Sequence, residues 1–196
     1  MPATATVLPP ILAIGASTGG PKALADILTA LPPDFPAAVV VVQHMDPAFN
    51  AGLNTWLKGQ SALPVTVARP GERLQAGRVY LAKGGDHLVI GPDSLLHYTP
   101  EPADDPFHPS VDALFESLAR LTLSRGVAVL LTGMGRDGAR GLLALRRAGW
   151  STIAQDAGTC AVYGMPKAAM ELGAAEMVLP LPNIAAAAAN LMRRHV

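Results

Sequence analysis

The sequence predicts an α/β fold built on a mostly parallel β-sheet. Short β-rich apolar runs alternate along the chain with segments of helical character, which is typical of parallel strands joined by crossover helices. The stretch from Leu63 to Pro100 differs, because glycine and proline punctuate its short strands. This stretch predicts a small antiparallel hairpin in the middle of the fold, turning near Gly91 to Asp93.

The first part of the chain predicts a strand, a helix and a second strand. Ile11 to Gly15 forms the first strand, and Pro21 can open a helix at its first turn. The unbroken valines of "AAVVVVQHM" predict a strand covered on both faces, with His44 where that strand gives way to a loop. The helix between them has one apolar face before two prolines stop it, and that face consists of Leu24, Ile27, Leu28 and Leu31.

Further strand and helix units follow the hairpin. Ser110 is a favoured N-cap residue for a helix with a single apolar stripe, which consists of Val111, Leu114, Phe115 and Leu118. "GVAVLLTGMGRDG" then repeats the opening pattern of a buried strand and glycines before a helix, "ARGLLALRRAG". The last two units are "STIAQD" with "MPKAAMELG", and "EMVLP" with a final helix in "NIAAAAANLMRRHV".

Composition limits the classes of function. The chain has 196 residues, of which 50% are hydrophobic, and this is enough for one sizeable core, so we expect a single domain over residues 1–196. Its 15 basic and 15 acidic residues cancel, which argues against nucleic acid or an anionic membrane surface as a partner.

The single cysteine, Cys160, fits a reducing compartment. Residues 1–10 read as a short flexible lead-in without the charged start of a secretory signal, and no apolar run suggests membrane insertion. We therefore expect a cytoplasmic protein.

The stretch "ILAIGASTGGP" contains a candidate nucleophile. Gly15 to Gly19 satisfies the G-x-S-x-G pattern, in which a tight turn between strand and helix exposes the serine, here Ser17, and aims backbone N–H groups at an oxyanion. A serine between glycines can also simply ease a turn or cap a helix. A phosphate cradle is a rival use of the same loop, but Ser17 stands where the dinucleotide fingerprint needs glycine, and no Walker A motif occurs. Lys22, which follows the loop, keeps that alternative open.

Two other strand ends supply a candidate base and a candidate acid. A serine nucleophile needs a base and a carboxylate that orients it, and the C-terminal ends of parallel strands lie along one edge of a sheet. His44 is the best placed histidine and Asp137, in the loop "LTGMGRDG", is the best placed acid. Each residue also has a purely structural alternative. His44 can be a hydrogen-bonded histidine at a strand end, and Asp137 can be the N-cap of the helix that follows it. The order Ser, His, Asp differs from that of α/β-hydrolases, and the histidines show no spacing of metal ligands.

Several long motifs together resemble the catalytic domain of the CheB-type chemotaxis receptor methylesterases, also called protein-glutamate methylesterases. The resemblance runs from about Ile11 to the last helix, in the order of that family. The motifs are "IGASTGGPKAL", "VVQHM", "HPSVDALFESLA", "LLTGMGRDGARGLLALRRAG", "TIAQD" and "VYGMPKAAMELG".

The resemblance implies a doubly wound sheet and a catalytic triad of Ser17, His44 and Asp137, with the backbone amides of Thr18 and Met134 as the oxyanion hole. It implies a serine hydrolase that needs no cofactor and removes methyl esters from glutamyl side chains in the cytoplasmic domain of methyl-accepting chemotaxis receptors. It also implies deamidation of receptor glutamines by the same acyl chemistry. A non-catalytic module that binds phosphate or a nucleotide, or that only docks on receptors, is the alternative.

Two departures from the family pattern accompany the resemblance. Most family members carry a receiver domain before the esterase, whereas we expect none within this chain, so a separate receiver domain is a candidate partner. In "LAKGGDHL", Lys83 stands where similar members often have proline, which leaves the contacts of that loop open.

Overall fold

A seven-stranded, wholly parallel sheet forms the centre of the computed structural model, which describes residues 8–122 and 125–195. Most of the predicted lead-in, residues 1–7, lies outside the described residues. The strand order is β3-β4-β2-β1-β7-β8-β9, and β5 and β6 form a separate antiparallel pair. The strands are β1 (Ile11–Ala16), β2 (Ala38–Gln43), β3 (Val65–Val67), β4 (Val79–Leu81), β5 (His87–Ile90), β6 (Leu96–Thr99), β7 (Gly126–Leu130), β8 (Ser151–Gln155) and β9 (Met177–Leu179).

Helices cover both faces of this sheet. On one face, α1, α2 and α6 pack in one apolar cluster, and on the other α3, α4 and α5 pack in a second cluster. These helices are α1 (Gly20–Ala30), α2 (Asn50–Gln60), α3 (Val111–Ala119), α4 (Ala139–Arg147), α5 (Met165–Glu171) and α6 (Leu181–Met192), with a short 3-10 helix at Pro47–Phe49. The predicted α/β class, with a doubly wound, mostly parallel sheet and a small central hairpin, is confirmed.

The position of β1 in the sheet determines where a functional site can form. The sheet extends from β1 to β2, β4 and β3 on one side and to β7, β8 and β9 on the other, so the chain changes side of β1 between β4 and β7. A crevice forms outside the carboxyl ends of the strands at such a change of direction. The loops after β1, β2 and β7 therefore lie side by side at the same edge of the sheet.

Some elements differ from the sequence-based prediction. The helix α2 was not predicted, because Gly52 and Gly59 lower its helix propensity and Leu53 and Leu57 are its only buried apolar residues. The stretch before the hairpin contributes β3 and β4 to the main sheet. Ser110 caps α3 as predicted, with its side chain accepting a hydrogen bond from the backbone N–H of Ala113. Within residues 8–122 and 125–195, no helix has the length and apolar character needed to cross a bilayer.

Candidate active site

Ser17 directly follows β1 and is held by backbone hydrogen bonds to both neighbouring strand ends. The His44 N–H donates to the Ala16 carbonyl oxygen at 2.9 Å, which continues the pairing of β1 with β2. On the other side, the Ser17 N–H donates to the Thr132 carbonyl oxygen at 3.0 Å. The serine therefore sits between the loop that follows β2 and the loop that follows β7.

A glycine allows the loop after β7 to come this close. A Cβ atom added to Gly133 would lie 2.7 Å from the Ser17 Cβ, closer than real side chains approach. Any larger residue at Gly133 would push the loop away from Ser17. The segment that carries Met134 and Asp137 is thereby brought next to the candidate nucleophile.

The N-terminus of α1 faces the same turn. Gly19 adopts a left-handed conformation with φ of 80°, and the Gly20 N–H donates to the Ser17 carbonyl oxygen at 2.7 Å. The partial positive charge of a helix N-terminus therefore lies beside Ser17. Within the described residues, the backbone N–H groups of Thr18 and Met134 donate no hydrogen bond to the protein. Their role as an oxyanion hole stays a prediction.

His44 and Asp137 are in direct contact. The His44 Nε2 lies 2.6 Å from the Asp137 Oδ2, and the two side chains are only 9% and 4% exposed. Burial alone would raise the pKa of Asp137, but hydrogen bonds from His44 and from the backbone N–H groups of Asp112 and Val111 outweigh it and hold this pKa below its usual value. Asp137 is therefore an ionised carboxylate that accepts a hydrogen bond from the histidine ring.

This pairing determines which nitrogen of His44 can act as a base. An ionised carboxylate only accepts hydrogen bonds, so the Nε2 of a neutral His44 carries the proton and Nδ1 holds the lone pair. Nδ1 is buried and has no hydrogen-bond partner among the described residues. The Ser17 hydroxyl makes no hydrogen bond to His44 in this structure, although the two residues are neighbours across β1 and β2. Such contacts often form only once substrate is bound.

Asp137 also caps a helix, but a different one from the sequence-based alternative. The N-cap of α4 is Gly138, so Asp137 does not cap the helix that follows it. Its carboxylate instead accepts hydrogen bonds from the backbone N–H groups of Val111 at 2.7 Å and Asp112 at 2.9 Å, in the first turn of α3. The Ser110 hydroxyl donates to the same carboxylate at 3.0 Å. These bonds, together with the one from His44, fix the position of both carboxylate oxygens.

Phe107, which the sequence analysis did not single out, covers one face of the His44 ring. The two rings stack with centroids 4.2 Å apart and planes only 4° from parallel. The loop conformation is supported by the Phe107 N–H, which donates to the Asp105 side chain at 2.8 Å. The stacking restricts rotation of the imidazole and so helps to hold the ring in its contact with Asp137. A single aromatic residue in a polar loop just before a helix N-cap was the available signal.

We expect Phe107→Ala to reduce kcat for ester hydrolysis by about 2- to 10-fold, because an aromatic pair contributes about 0.5–1.5 kcal/mol. The change should leave KM for a small ester nearly unchanged. Phe107→Tyr, which keeps the stacked ring, is the matched control and should retain the wild-type kcat. Steady-state kinetics on both variants measure this effect, and equal loss in both would show that the stacking is unimportant.

A second unrecognised residue, Gln43, joins the backbones of the candidate nucleophile and base. Its side-chain amide donates to the Ser17 carbonyl oxygen at 2.8 Å and to the His44 carbonyl oxygen at 2.9 Å. A Cβ atom on Gly20 would overlap the Gln43 side-chain oxygen, so the amide is tightly enclosed. One side chain therefore sets the spacing of the two strand ends.

We expect Gln43→Leu to lower kcat about 10-fold, because the loop that carries His44 loses a hydrogen bond worth about 1–3 kcal/mol that holds it beside Ser17. Gln60→Leu, at the exposed end of α2, is the control and should have no effect on kcat. Comparison of kcat with the melting temperature separates positioning from general destabilisation. A loss of stability without a change in kcat would contradict the role assigned to Gln43.

Two of the other histidines have hydrogen-bond partners of their own. His87 is fully buried, with its ring nitrogens bonded to the Pro102 carbonyl and the Ser110 N–H, and His97 pairs with Asp93. Among the described residues, no cluster of three or more His, Cys, Asp or Glu side chains could hold a metal ion. A cleft of about 370 Å³ opens beside Asp137 and is partly lined by Phe107.

Comparison with known proteins identifies the family. The family model described as CheB methylesterase matches residues 12–188. The chain belongs to the CheB methylesterase family. Its structure resembles the crystal structure of the CheB methylesterase catalytic domain of Thermotoga maritima, with a TM-score of 0.85 and 38% identity over 93% of this chain and 98% of that one.

Relatives of this CheB-family chain are longer than it is. It is 53% identical over 194 residues to protein-glutamate methylesterase/protein-glutamine glutaminase 2 of Burkholderia pseudomallei strain 1710b, which covers 99% of this chain and 57% of the relative. It is 57% identical over 184 residues to protein-glutamate methylesterase/protein-glutamine glutaminase 1 of Burkholderia lata, covering 94% of this chain and 55% of the relative. The chain thus spans little more than half the length of these relatives.

Proposed function

We propose that this chain is a serine hydrolase that removes methyl esters from glutamyl side chains of chemotaxis receptors. The observation that carries the proposal is the 2.6 Å contact between His44 and an ionised Asp137, beside a serine at the tip of β1. This arrangement is the one a serine nucleophile requires for activation by a base. The names of the longer relatives support the same activity.

The reaction begins when the Ser17 Oγ attacks the ester carbonyl carbon while its proton passes to the His44 Nδ1. Negative charge develops on the carbonyl oxygen, and the Thr18 and Met134 N–H groups stabilise it, at about 2.7–4 kcal/mol per donor. Asp137 stabilises the imidazolium and keeps its ring in place. The carbon–oxygen bond to the methoxy group then breaks, and the proton on Nδ1 leaves with methanol.

Water completes the cycle. His44 removes a proton from a water molecule, whose oxygen attacks the acyl carbon. The bond from this carbon to the Ser17 Oγ then breaks, the proton passes from Nδ1 to the Ser17 oxygen, and the glutamate is released. The same steps convert a glutamine side chain to glutamate with loss of ammonia, which agrees with the second activity in the names of the relatives. We propose that the substrates are cytoplasmic domains of receptors, that the chain acts in the cytoplasm, and that a receiver domain is a further partner.

Release of methanol tests this function. The chain is incubated with the methylated cytoplasmic domain of a receptor, and volatile methanol is measured against the same receptor carrying no methyl groups. Labelling of Ser17 by a fluorophosphonate separates a hydrolase from a module that binds phosphate or docks without turnover, since only an activated hydroxyl reacts. Absence of both methanol and labelling would contradict the proposal.

A further inference from the structure

A basic groove lies beside the candidate active site and has no role in the reaction above. Its volume is about 370 Å³ and its lining includes Lys58 of α2, Arg69 after β3, and Lys83 after β4. No Asp or Glu lines the groove. The chain as a whole has equal numbers of acidic and basic residues, so the groove is a local concentration of positive charge.

The three cationic groups are available to a ligand. All three residues are exposed, and within the described part of the chain none has a carboxylate within 4.0 Å of its charged nitrogen atoms. The nearby Glu72 bonds the backbone N–H of Arg69 and leaves the guanidinium unpaired. The Lys83 ammonium lies 4.7 Å from the centre of the Tyr98 ring, a contact that leaves its N–H groups free to donate.

Polar atoms in the groove wall are also unsatisfied. The Asn54 side-chain oxygen and the Thr66 hydroxyl are buried, and neither has a hydrogen-bond partner among the described residues. Both residues line the groove together with the three cationic side chains. Buried polar groups in proteins are normally paired. The Thr66 hydroxyl can donate to a bound carboxylate oxygen, whereas the Asn54 oxygen can only accept a hydrogen bond.

The groove and the candidate site share the same edge of the sheet. In the pairing of β2 with β4, Val41 lies opposite Leu81, so His44 and Lys83 each follow closely on the C-terminal end of one of two adjacent strands. Adjacent strands are about 4.8 Å apart. The two loops also touch, because a Cβ atom on Gly84 would lie 2.7 Å from the Pro47 Cγ. An extended or helical segment bound at His44 can therefore reach the groove.

We propose that this groove binds carboxylates of the substrate segment next to the ester being cleaved, so that the chain prefers glutamate-rich segments. The inference rests on the proposed function, in which each turnover converts a neutral ester to a carboxylate. A segment with several glutamyl positions thus gains negative charge as its esters are removed. Arg69 can bind one carboxylate through two parallel hydrogen bonds, and Lys58 and Lys83 add attraction at longer range.

Two synthetic peptides of equal length test the preference. Each carries one glutamyl γ-methyl ester, flanked by glutamates in one peptide and by glutamines in the other, and methanol release gives kcat/KM. At low salt we expect the glutamate-flanked peptide to be preferred about 10-fold, with the preference lost in about 0.5 M NaCl. The variant Lys58→Glu/Arg69→Glu/Lys83→Glu should lose the preference and hydrolyse the glutamine-flanked peptide within about twofold of the wild-type rate.

Arg78→Glu is the matched control, because Arg78 is an exposed cation at the opposite end of β4. It should keep the wild-type preference, and Lys58→Gln/Arg69→Gln/Lys83→Gln should show an intermediate one. Equal hydrolysis of both peptides, or a preference that survives charge reversal, overturns the proposal. So does binding of the wild type to phosphatidylserine vesicles without any preference between the peptides, which would indicate a lipid phosphate site.

A binding measurement distinguishes failure of this proposal from failure of the proposed function. Fluorescence anisotropy reports binding of the glutamate-flanked peptide whether or not it is hydrolysed. Binding that depends on the three cations, without methanol release or fluorophosphonate labelling, would contradict the hydrolase function but would still support a carboxylate-binding groove. Hydrolysis without any contribution from the cations would refute the groove alone.

Discussion

Replacement of Ser17 by alanine is expected to lower kcat for methyl ester hydrolysis by at least about 10⁴-fold, because the attacking oxygen is lost. The fold should be unaffected. Every hydrogen bond that Ser17 makes to Thr132, Gly20 and Gln43 uses its backbone atoms, and alanine keeps all of them. The melting temperature should therefore stay within about 2 °C of the wild-type value, since the change removes only one hydroxyl from a partly exposed residue.

Methanol release from a methylated receptor domain measures the loss, and fluorophosphonate labelling should disappear with it. Ser61→Ala is a suitable control, because it also removes one serine hydroxyl, but between α2 and the start of β3, at the opposite edge of the sheet. The hydroxyl of Ser61 only accepts a hydrogen bond from the Leu63 N–H, at 3.0 Å. The control should retain full activity and labelling. If Ser17→Ala released methanol at the wild-type rate, another group would have to be the nucleophile.

The three candidate catalytic residues could be predicted because they depend on features that a sequence displays locally. Ser17, His44 and Asp137 each follow an apolar run ending in a loop, and parallel strands bring such loops to one edge. The expectation that the three loops meet at one edge of the sheet required no interatomic distance. The strand order, which places β1 between β2 and β7, then makes the three loops neighbours.

The supporting contacts could not be predicted in this way, because they join residues that are distant in sequence and have no shared pattern. The bond from the Val111 N–H to Asp137 depends on how α3 packs against the loop that precedes α4. Local propensity correctly indicated that Asp137 is a capping residue, but it pointed to the wrong helix. Phe107 reaches His44 only through the path of its loop, to which neither strand nor helix periodicity applies.

The structure of the loop after β4 also shows why Lys83 matters. Its backbone N–H donates to the Tyr98 hydroxyl at 3.0 Å, a bond that proline could not make. Any residue except proline could anchor the loop in this way, and lysine in addition places a charge in the basic groove. The sequence revealed only that the residue was unusual for the family.

Replacement of Asp137 by asparagine is expected to lower kcat by about 10⁴-fold, because it moves the proton of the neutral His44 ring from Nε2 to Nδ1. An asparagine amide group facing His44 would donate to Nε2, so the neutral ring would carry its proton on Nδ1 and could no longer accept one from Ser17. The same amide nitrogen would replace the Oδ2 acceptor of the Val111 N–H, whereas the Asp112 N–H keeps its bond to Oδ1. We therefore expect the free energy of unfolding to fall by about 1–3 kcal/mol as well.

The double role of Asp137 requires a control that weakens the cap and keeps the pair with His44. Ser110→Ala does this, because it removes the bond from the Ser110 hydroxyl to the Asp137 Oδ1 and the cap at Ala113, whereas the His44 bond goes to Oδ2. We expect Ser110→Ala to lose about 1 kcal/mol of stability but to keep kcat within about 10-fold of wild type. Kinetics well below both melting temperatures, combined with chemical denaturation, compare the two variants. If both lost activity in proportion to stability, Asp137 would act only as a helix cap; a loss confined to Asp137→Asn assigns it to the orientation of His44.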